Sequence, residues 1–334
     1  MKKIAFFFLI VGLISCNHKK NIPDVSGIAM NLKVERFEKD FFAMDTNHLS
    51  VALDTMQSKY PDFLKNYLYN ILVLEPKPDT VLKYVKSFIK DYHFVYDTAQ
   101  LKIQSVDEIK KQLEQACRFV KYYFPEYKLP DRITTFVGPI EGTANGLTQN
   151  SFAVGLQSYL GKNFSVYQSE YVSNVYPAYK SRRFELPYIV VNSMRNIMDD
   201  MYPLKTTGKP LMEQMIEAGK RLYMLDALLP ETADTLKTGY TQQQLDFCFA
   251  NEKKIWTFFI ENNLLYETEP NLIGSYVNDG PSTPEFGEIS PGNIGEFTGW
   301  QIVKKWMNKN EKKSLSELMQ TPAKQIFDEA KYKP

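Results

Sequence analysis

The start of this chain limits its fold more than any other feature. Lys2 and Lys3 precede an almost unbroken apolar run from Ile4 to Ile14. That run is too short to cross a bilayer core as a helix, which takes about 20 apolar residues. A short basic head followed by a short apolar stretch is the anatomy of a secretory signal peptide. No later apolar run is long enough to make a transmembrane helix. The body is therefore expected to fold in water, outside the cytosol.

The apolar run closes on Leu13-Ile14-Ser15-Cys16, the residue order of a bacterial lipobox. That pattern implies cleavage before Cys16, lipidation of its thiol and acylation of the new amino terminus. The alternative is an ordinary secretory signal ending near a cysteine. Several acyl chains on one residue anchor a protein far more firmly than one. Asn17 to Ser26 is polar, short and proline-containing, and reads as a leash. Its lysines lie near the headgroups, where each adds about 1 kcal/mol of attraction to an anionic surface. The expected organisation is a signal segment at 1–15, a lipidated tether at 16–27 and one globular α+β domain at 28–334.

Removing residues 1–15 takes away two lysines and shifts the formal charge from +1 to −1. So balanced a body has no electrostatic case for nucleic acid, whose phosphates demand clustered Lys and Arg. Beyond Cys16 the cysteines are Cys117 and Cys248, both in helix-like stretches, and they read as buried free thiols although one disulfide is open to them.

Leu32 to Phe37 alternates apolar and charged residues and predicts a half-buried strand. Apolar spacings of three and four then predict helices through Leu49–Met56, Leu64–Leu68, Val81–Ile89 and Asp107–Tyr123. Ile133–Val137 and Ser151–Leu156 predict strands flanking a turn region at Gly138–Gly146. Helical spacing resumes near Tyr171, Leu186, Leu211 and Gln242, and a last long helix is expected from Ile294 to Met307. The fold class is α+β, predominantly helical with a small sheet. Trp300 and Trp306 on that last helix read as core.

The catalytic inventory is thin. His48 and His93 are the imidazoles of the body, are not spaced as metal ligands, and read as packing or capping residues. There is no Gly-rich phosphate loop and no Gly-x-Ser-x-Gly elbow, so no cofactor, metal or catalytic residue is assigned. One helix face carries Asn192 and Asn196 at i and i+4 with Asp199, and Glu217 follows on the next helix. The order strand, strand, helix, helix resembles a zinc peptidase of the His-Glu-x-x-His type. Asn192 and Asn196 stand where the histidines would be, and Ser193 where the general base would be, so metal-assisted hydrolysis lacks its parts. This face is either a solvated helix surface or the relic of a cleft. The loop Asn278–Gly292, unusually long for this chain, is the other candidate surface. Phe286, Gly292, Asn293 and Gly295 flank a helix start whose N–H groups could take an anion. A helix entry packed against its own domain is the alternative there.

Several motifs in one order extend beyond any single element. They are Leu32-Lys-Val-Glu-Arg-Phe-Glu-Lys-Asp-Phe-Phe42, Lys59-Tyr-Pro-Asp-Phe-Leu64, Asn192-Ser-Met-Arg-Asn-Ile-Met-Asp-Asp200, Pro291 through Val303, and Lys331-Tyr-Lys-Pro334. With the lipobox they resemble the gliding motility lipoprotein B family of the Bacteroidota across essentially the whole mature chain. The resemblance implies a cell-envelope lipoprotein required for gliding, partnered with other gliding or secretion proteins of the envelope. The basic tether leans towards a periplasm-facing protein. The family is also distantly similar to predicted zinc-dependent peptidases, implying a zincin-like architecture that has lost its ligands. A non-enzymatic, partner-binding role follows. The alternatives are a hydrolase with unorthodox ligands, peptidase-like or acting on peptidoglycan, and a carbohydrate- or peptide-binding lipoprotein.

Overall fold

Leu32 and Phe37, both wholly buried, bracket the strand β1 (Lys33–Arg36). The expected strand stops one residue early because Phe37 opens the helix α1 (Phe37–Phe42). In this computed structural model, which describes residues 22–334, β1 is one edge of a four-stranded sheet. The signal segment, Cys16 and the first part of the leash lie outside the described residues. Val25, in the stretch read as leash, is already packed in the core at 3% exposure. Nearby, the Ile28 carbonyl accepts from Arg118 Nε at 3.0 Å.

The other strands are β2 (Arg132–Phe136), β3 (Asn145–Leu147) and β4 (Ser151–Gly155), and the sheet order is β1-β2-β4-β3. β1 and β2 are parallel, with Val34 opposite Ile133, and β2 and β4 are parallel, with Ile133 opposite Phe152. Parallel pairing of β1 with β2 needs a long crossover. It is supplied by α1 followed by α2 (Leu49–Lys59), α3 (Phe63–Asn66), α4 (Pro78–Asp91), α5 (His93–Lys102) and α6 (Asp107–Tyr123). The turn region at 138–146 runs into β3, a short antiparallel edge strand that the glycine-rich sequence hid. β4 ends at Gly155, and Leu156 starts a 3-10 turn.

The crossover helices are amphipathic. α4 buries Val81, Val85 and Ile89, and α6 buries Leu113, Cys117 and Val120, each on one stripe. Asp107 and Glu108 complement the positive end of α6. Against the sheet, Phe37 packs its ring 4.7 to 5.5 Å from those of Phe41, Tyr60, Phe63 and Tyr67. The buried Tyr67 hydroxyl donates to the Val137 carbonyl at 2.6 Å, so this aromatic cluster leaves that phenol satisfied.

After the sheet come α7 (Glu170–Val175), α8 (Ala178–Ser181), α9 (Tyr188–Met201), α10 (Leu211–Leu228) and α11 (Asp234–Thr238). They are followed by α12 (Gln242–Ala250), α13 (Glu252–Glu261), α14 (Pro270–Val277), α15 (Ile294–Lys309), α16 (Leu315–Gln320) and α17 (Ala323–Ala330). Helix dominates around a small sheet, so the fold is α+β as expected. Trp300 and Trp306 are core, at 1% and 0% exposure, and α15 runs a half-turn past its expected end at Met307. Cys117 and Cys248 are buried free thiols, both pushed up to about 12 by burial.

The axis of the second half is the crossing of α10 and α15. Gly219 and Gly299 face each other there, and a Cβ on Gly299 would overlap the Met215 carbonyl. Only glycine allows backbones so close. Beside the crossing, Lys237 of α11 pairs with Asp226 of α10, both 3% exposed, and Trp300 Nε1 donates to Asp226 at 2.9 Å. Lys304 lies 3.1 Å from the Trp300 ring centroid, a cation–π contact.

Candidate functional site

α9 buries Ile189, Val190, Met194, Ile197 and Met198, which leaves Asn192, Arg195 and Asn196 only partly covered. Pro187 sets its start, and it ends at Tyr202, whose N–H still donates to the Met198 carbonyl. On one side of this helix lies an open cleft of about 600 Å³. Asn192 and Arg195 of α9 face Gln214, Ala218 and Arg221 of α10 across it. Asn293 and Glu296, at the start of α15, line it too. Tyr176, Lys180 and Arg183 come from the segment that includes α8, Tyr188 from the first turn of α9, and Asp279 from the loop after α14.

Two of the four cations have a carboxylate at contact distance and two do not. Arg195 Nη2 donates to the Lys237 carbonyl at 2.6 Å and lies 3.8 Å from Glu296. Arg221 donates to the Tyr202 carbonyl at 3.0 Å and pairs with Asp199, while Arg183 pairs with Asp279. Lys180 makes no ion pair among the described residues, and its ammonium lies 5.8 Å from the Tyr179 ring centroid. Burial depresses Arg221 below the ordinary arginine range, and nearby Asp199 opposes that. Burial raises Glu296, against the pull of Arg195 and Arg183.

Each residue singled out from sequence has a definite place. Asn192 lines the cleft, and its Nδ2 donates to the Tyr159 hydroxyl at 2.9 Å; that hydroxyl in turn bonds Asn145 of β3. Asn145 Nδ2 donates to Ser193 Oγ at 3.1 Å, tying α9 to the sheet edge. Asn196 does not reach the cleft, and its buried Nδ2 has no hydrogen-bond partner. Asp199 touches it only through Arg221. Glu217 turns to Lys220 at 2.7 Å, whose ammonium also donates to the Thr321 carbonyl at 2.7 Å. The four residues therefore do not converge on one point.

The loop Asn278–Gly292 is packed on itself. The buried Thr283 hydroxyl lies 2.6 Å from the Pro291 carbonyl, and Thr283 N donates to Ser290 Oγ at 3.0 Å. Gly292 abuts the Gly280 backbone, and a Cβ on Gly295 would come within 2.7 Å of the Tyr276 carbonyl. Phe286 packs edge-on against Phe258, with centroids 5.0 Å apart. These three positions serve close packing. Asn293 alone of the four lines the cleft, where its Nδ2 donates to Glu296 at 2.6 Å.

His48 and His93 sit at the surface, paired with Asp45 at 2.7 Å and Asp97 at 3.6 Å. Among the described residues no group of three or more His, Cys, Asp or Glu is placed to hold a metal ion. Sequence reasoning missed Arg195, Arg221 and Glu296, although each lies inside a stretch it had marked. The available signal was an arginine three residues after Asn192, one helical turn along the same face.

Because the folded protein binds a proton at Glu296 more tightly than the unfolded chain does, ionisation there weakens the fold as pH rises above the unfolded value near 4.5. Glu296→Gln is expected to raise the melting temperature at pH 7, with the gain vanishing below about pH 4. Thermal unfolding at the two pH values checks this, and a variant less stable than wild type at pH 7 would contradict it.

Fold and site together define an α+β protein with an open, cation-lined cleft built chiefly by helices. The chain belongs to the gliding motility protein GldB family, whose model matches residues 18–334. No curated protein and no solved structure matches it. Membership makes it a lipoprotein related to gliding motility, with membrane anchoring in the cell envelope. No described helix is long and apolar enough to cross a membrane.

Proposed function

We propose that this protein is a non-enzymatic component of the gliding apparatus, held by lipid on Cys16 on the periplasm-facing side of the envelope, and that it binds another gliding or secretion protein through the cleft between α9, α10 and α15. The observation that carries this is the cleft itself, a concavity of about 600 Å³ with polar, apolar and charged walls in a family defined by motility. Its floor is rigid, because α10 and α15 meet through glycine and Asn192 is fixed through Tyr159 to β3. α9 beside the antiparallel edge strand supports reading the cleft as one inherited from a zincin-like peptidase and turned to binding.

The test is to fill the cleft without touching its charge. Ala218→Trp places an indole where a methyl group now lines the cavity, and Leu204→Trp does so from the half-exposed opposite rim. Both variants are expected to fold, remain with the membrane fraction and lose colony spreading. Normal spreading by well-folded, membrane-retained variants would remove the cleft from the function. Stoichiometric metal or hydrolytic activity in the purified protein would favour the hydrolase reading instead.

A further inference from the structure

The charge of the cleft is at odds with the rest of the molecule. The mature chain carries a formal −1, yet the cleft gathers Lys180, Arg183, Arg195 and Arg221 against Asp279 and Glu296, with Asp199 beside Arg221 as the third carboxylate. Of the cations, Arg183 and Arg221 have a carboxylate partner at contact distance. Arg195 spends its close bond on a neutral carbonyl, with Glu296 at 3.8 Å, and Lys180 has no anionic partner among the described residues. Like charges gathered in a partly desolvated cavity repel one another. They are tolerated where a ligand supplies the missing anions.

The remaining lining narrows the class of ligand. Asn192, Asn278 and Asn293 bring side-chain amides; Asn192 and Asn293 each spend one N–H on Tyr159 and Glu296, which leaves a second N–H and the carbonyl oxygen to match the alternating N–H and C=O groups of a peptide backbone. Val191, Met215 and Leu236 supply apolar wall between them. A bare inorganic anion would use the cations and leave the amides and hydrocarbon idle.

We infer that the cleft takes a short acidic peptide segment of a partner protein, its carboxylates held by Lys180 and Arg195 and its backbone by the asparagine amides. This rests on the cleft being the functional surface and adds the chemistry of what enters it. The segment is recognised by charge and backbone, so its on-rate and affinity fall with salt.

The experiment uses the full chain in a non-ionic detergent and fluorescence anisotropy with labelled, N-acetylated peptides of four glutamates, four glutamines or four lysines. Saturable binding of the glutamate peptide is expected, with no binding of the lysine peptide and a steep loss at high salt. Lys180→Glu is expected to weaken binding about tenfold or more, and Lys180→Gln by less. The Lys180 side chain makes no hydrogen bond or ion pair among the described residues, so neither change threatens folding. Equal binding of the glutamine peptide, or full affinity in Lys180→Glu, would overturn the inference. So would saturable binding of inorganic phosphate without binding of the glutamate peptide. If no peptide binds while Ala218→Trp abolishes spreading, the acidic ligand falls and the cleft remains the working surface. If Ala218→Trp spreads normally, the cleft reading itself has failed.

Discussion

Gly299→Ala is expected to cost about 3 kcal/mol or more of stability and to lower Tm by roughly 5 °C. The added methyl group has no rotamer to escape into, since a Cβ is fixed by the backbone. It would overlap the Met215 carbonyl, and on the other side of the crossing Gly219 already meets Gly299 backbone to backbone. Relief requires α10 and α15 to move apart, and both helices line the cleft, so the loss of stability comes with a distorted site. Thermal unfolding followed by far-UV circular dichroism reads the effect. Gly27→Ala is the matched control, because a Cβ there meets nothing within 4 Å. An unchanged Tm in Gly299→Ala would show that the crossing is looser than this geometry.

Lys237→Met should be comparably severe, at about 3–5 kcal/mol, because it removes the ammonium from a buried ion pair with Asp226. Burial works against the charge of Lys237, but Asp226 and Asp234 outweigh it and hold the ammonium above the ordinary lysine range. A base with a raised folded value contributes stability that is fully present below its unfolded value near 10.5 and is lost as pH rises through the folded one. The deficit of Lys237→Met should therefore be constant from neutral pH to about 10 and shrink above that. Pairing it with Asp226→Asn should recover part of the loss, since both charges of the buried pair are then removed together. Chemical denaturation across pH checks both expectations. A double variant no more stable than Lys237→Met would mean that packing, not charge, sets the penalty.

The sequence shows those parts of the fold that depend on periodic burial. The stripes of α4 and α6, the β-branched strand at Ile133 and the buried Trp300 and Trp306 all follow from spacing alone, because the hydrophobic effect acts on whichever face repeats. β3 escaped because Asn145-Gly146 has the composition of a turn, and its pairing is fixed by β4 rather than by its own preference. Gly292 and Gly295 have the composition of an anion-binding helix start, and the backbone of Gly280 and Tyr276 fills the space a ligand would need. Asn192 and Asn196 share a helix face by spacing, yet only Asn192 reaches the cleft, since its neighbours across α10 decide what stays open. The cations gather from three separate segments, and no local pattern brings Lys180, Arg195 and Arg221 together before the chain has folded.

Val25 is already seated in the core. Under the proposed acylation of Cys16, the nine residues from there to Val25 reach at most about 32 Å, at about 3.3–3.6 Å per residue. Such a short reach would confine the molecule to a thin layer over its membrane, where a similarly confined partner would meet it again and again at high effective concentration. Weak affinity in solution would then suffice for lasting engagement at the surface, and lengthening the leash would dilute it.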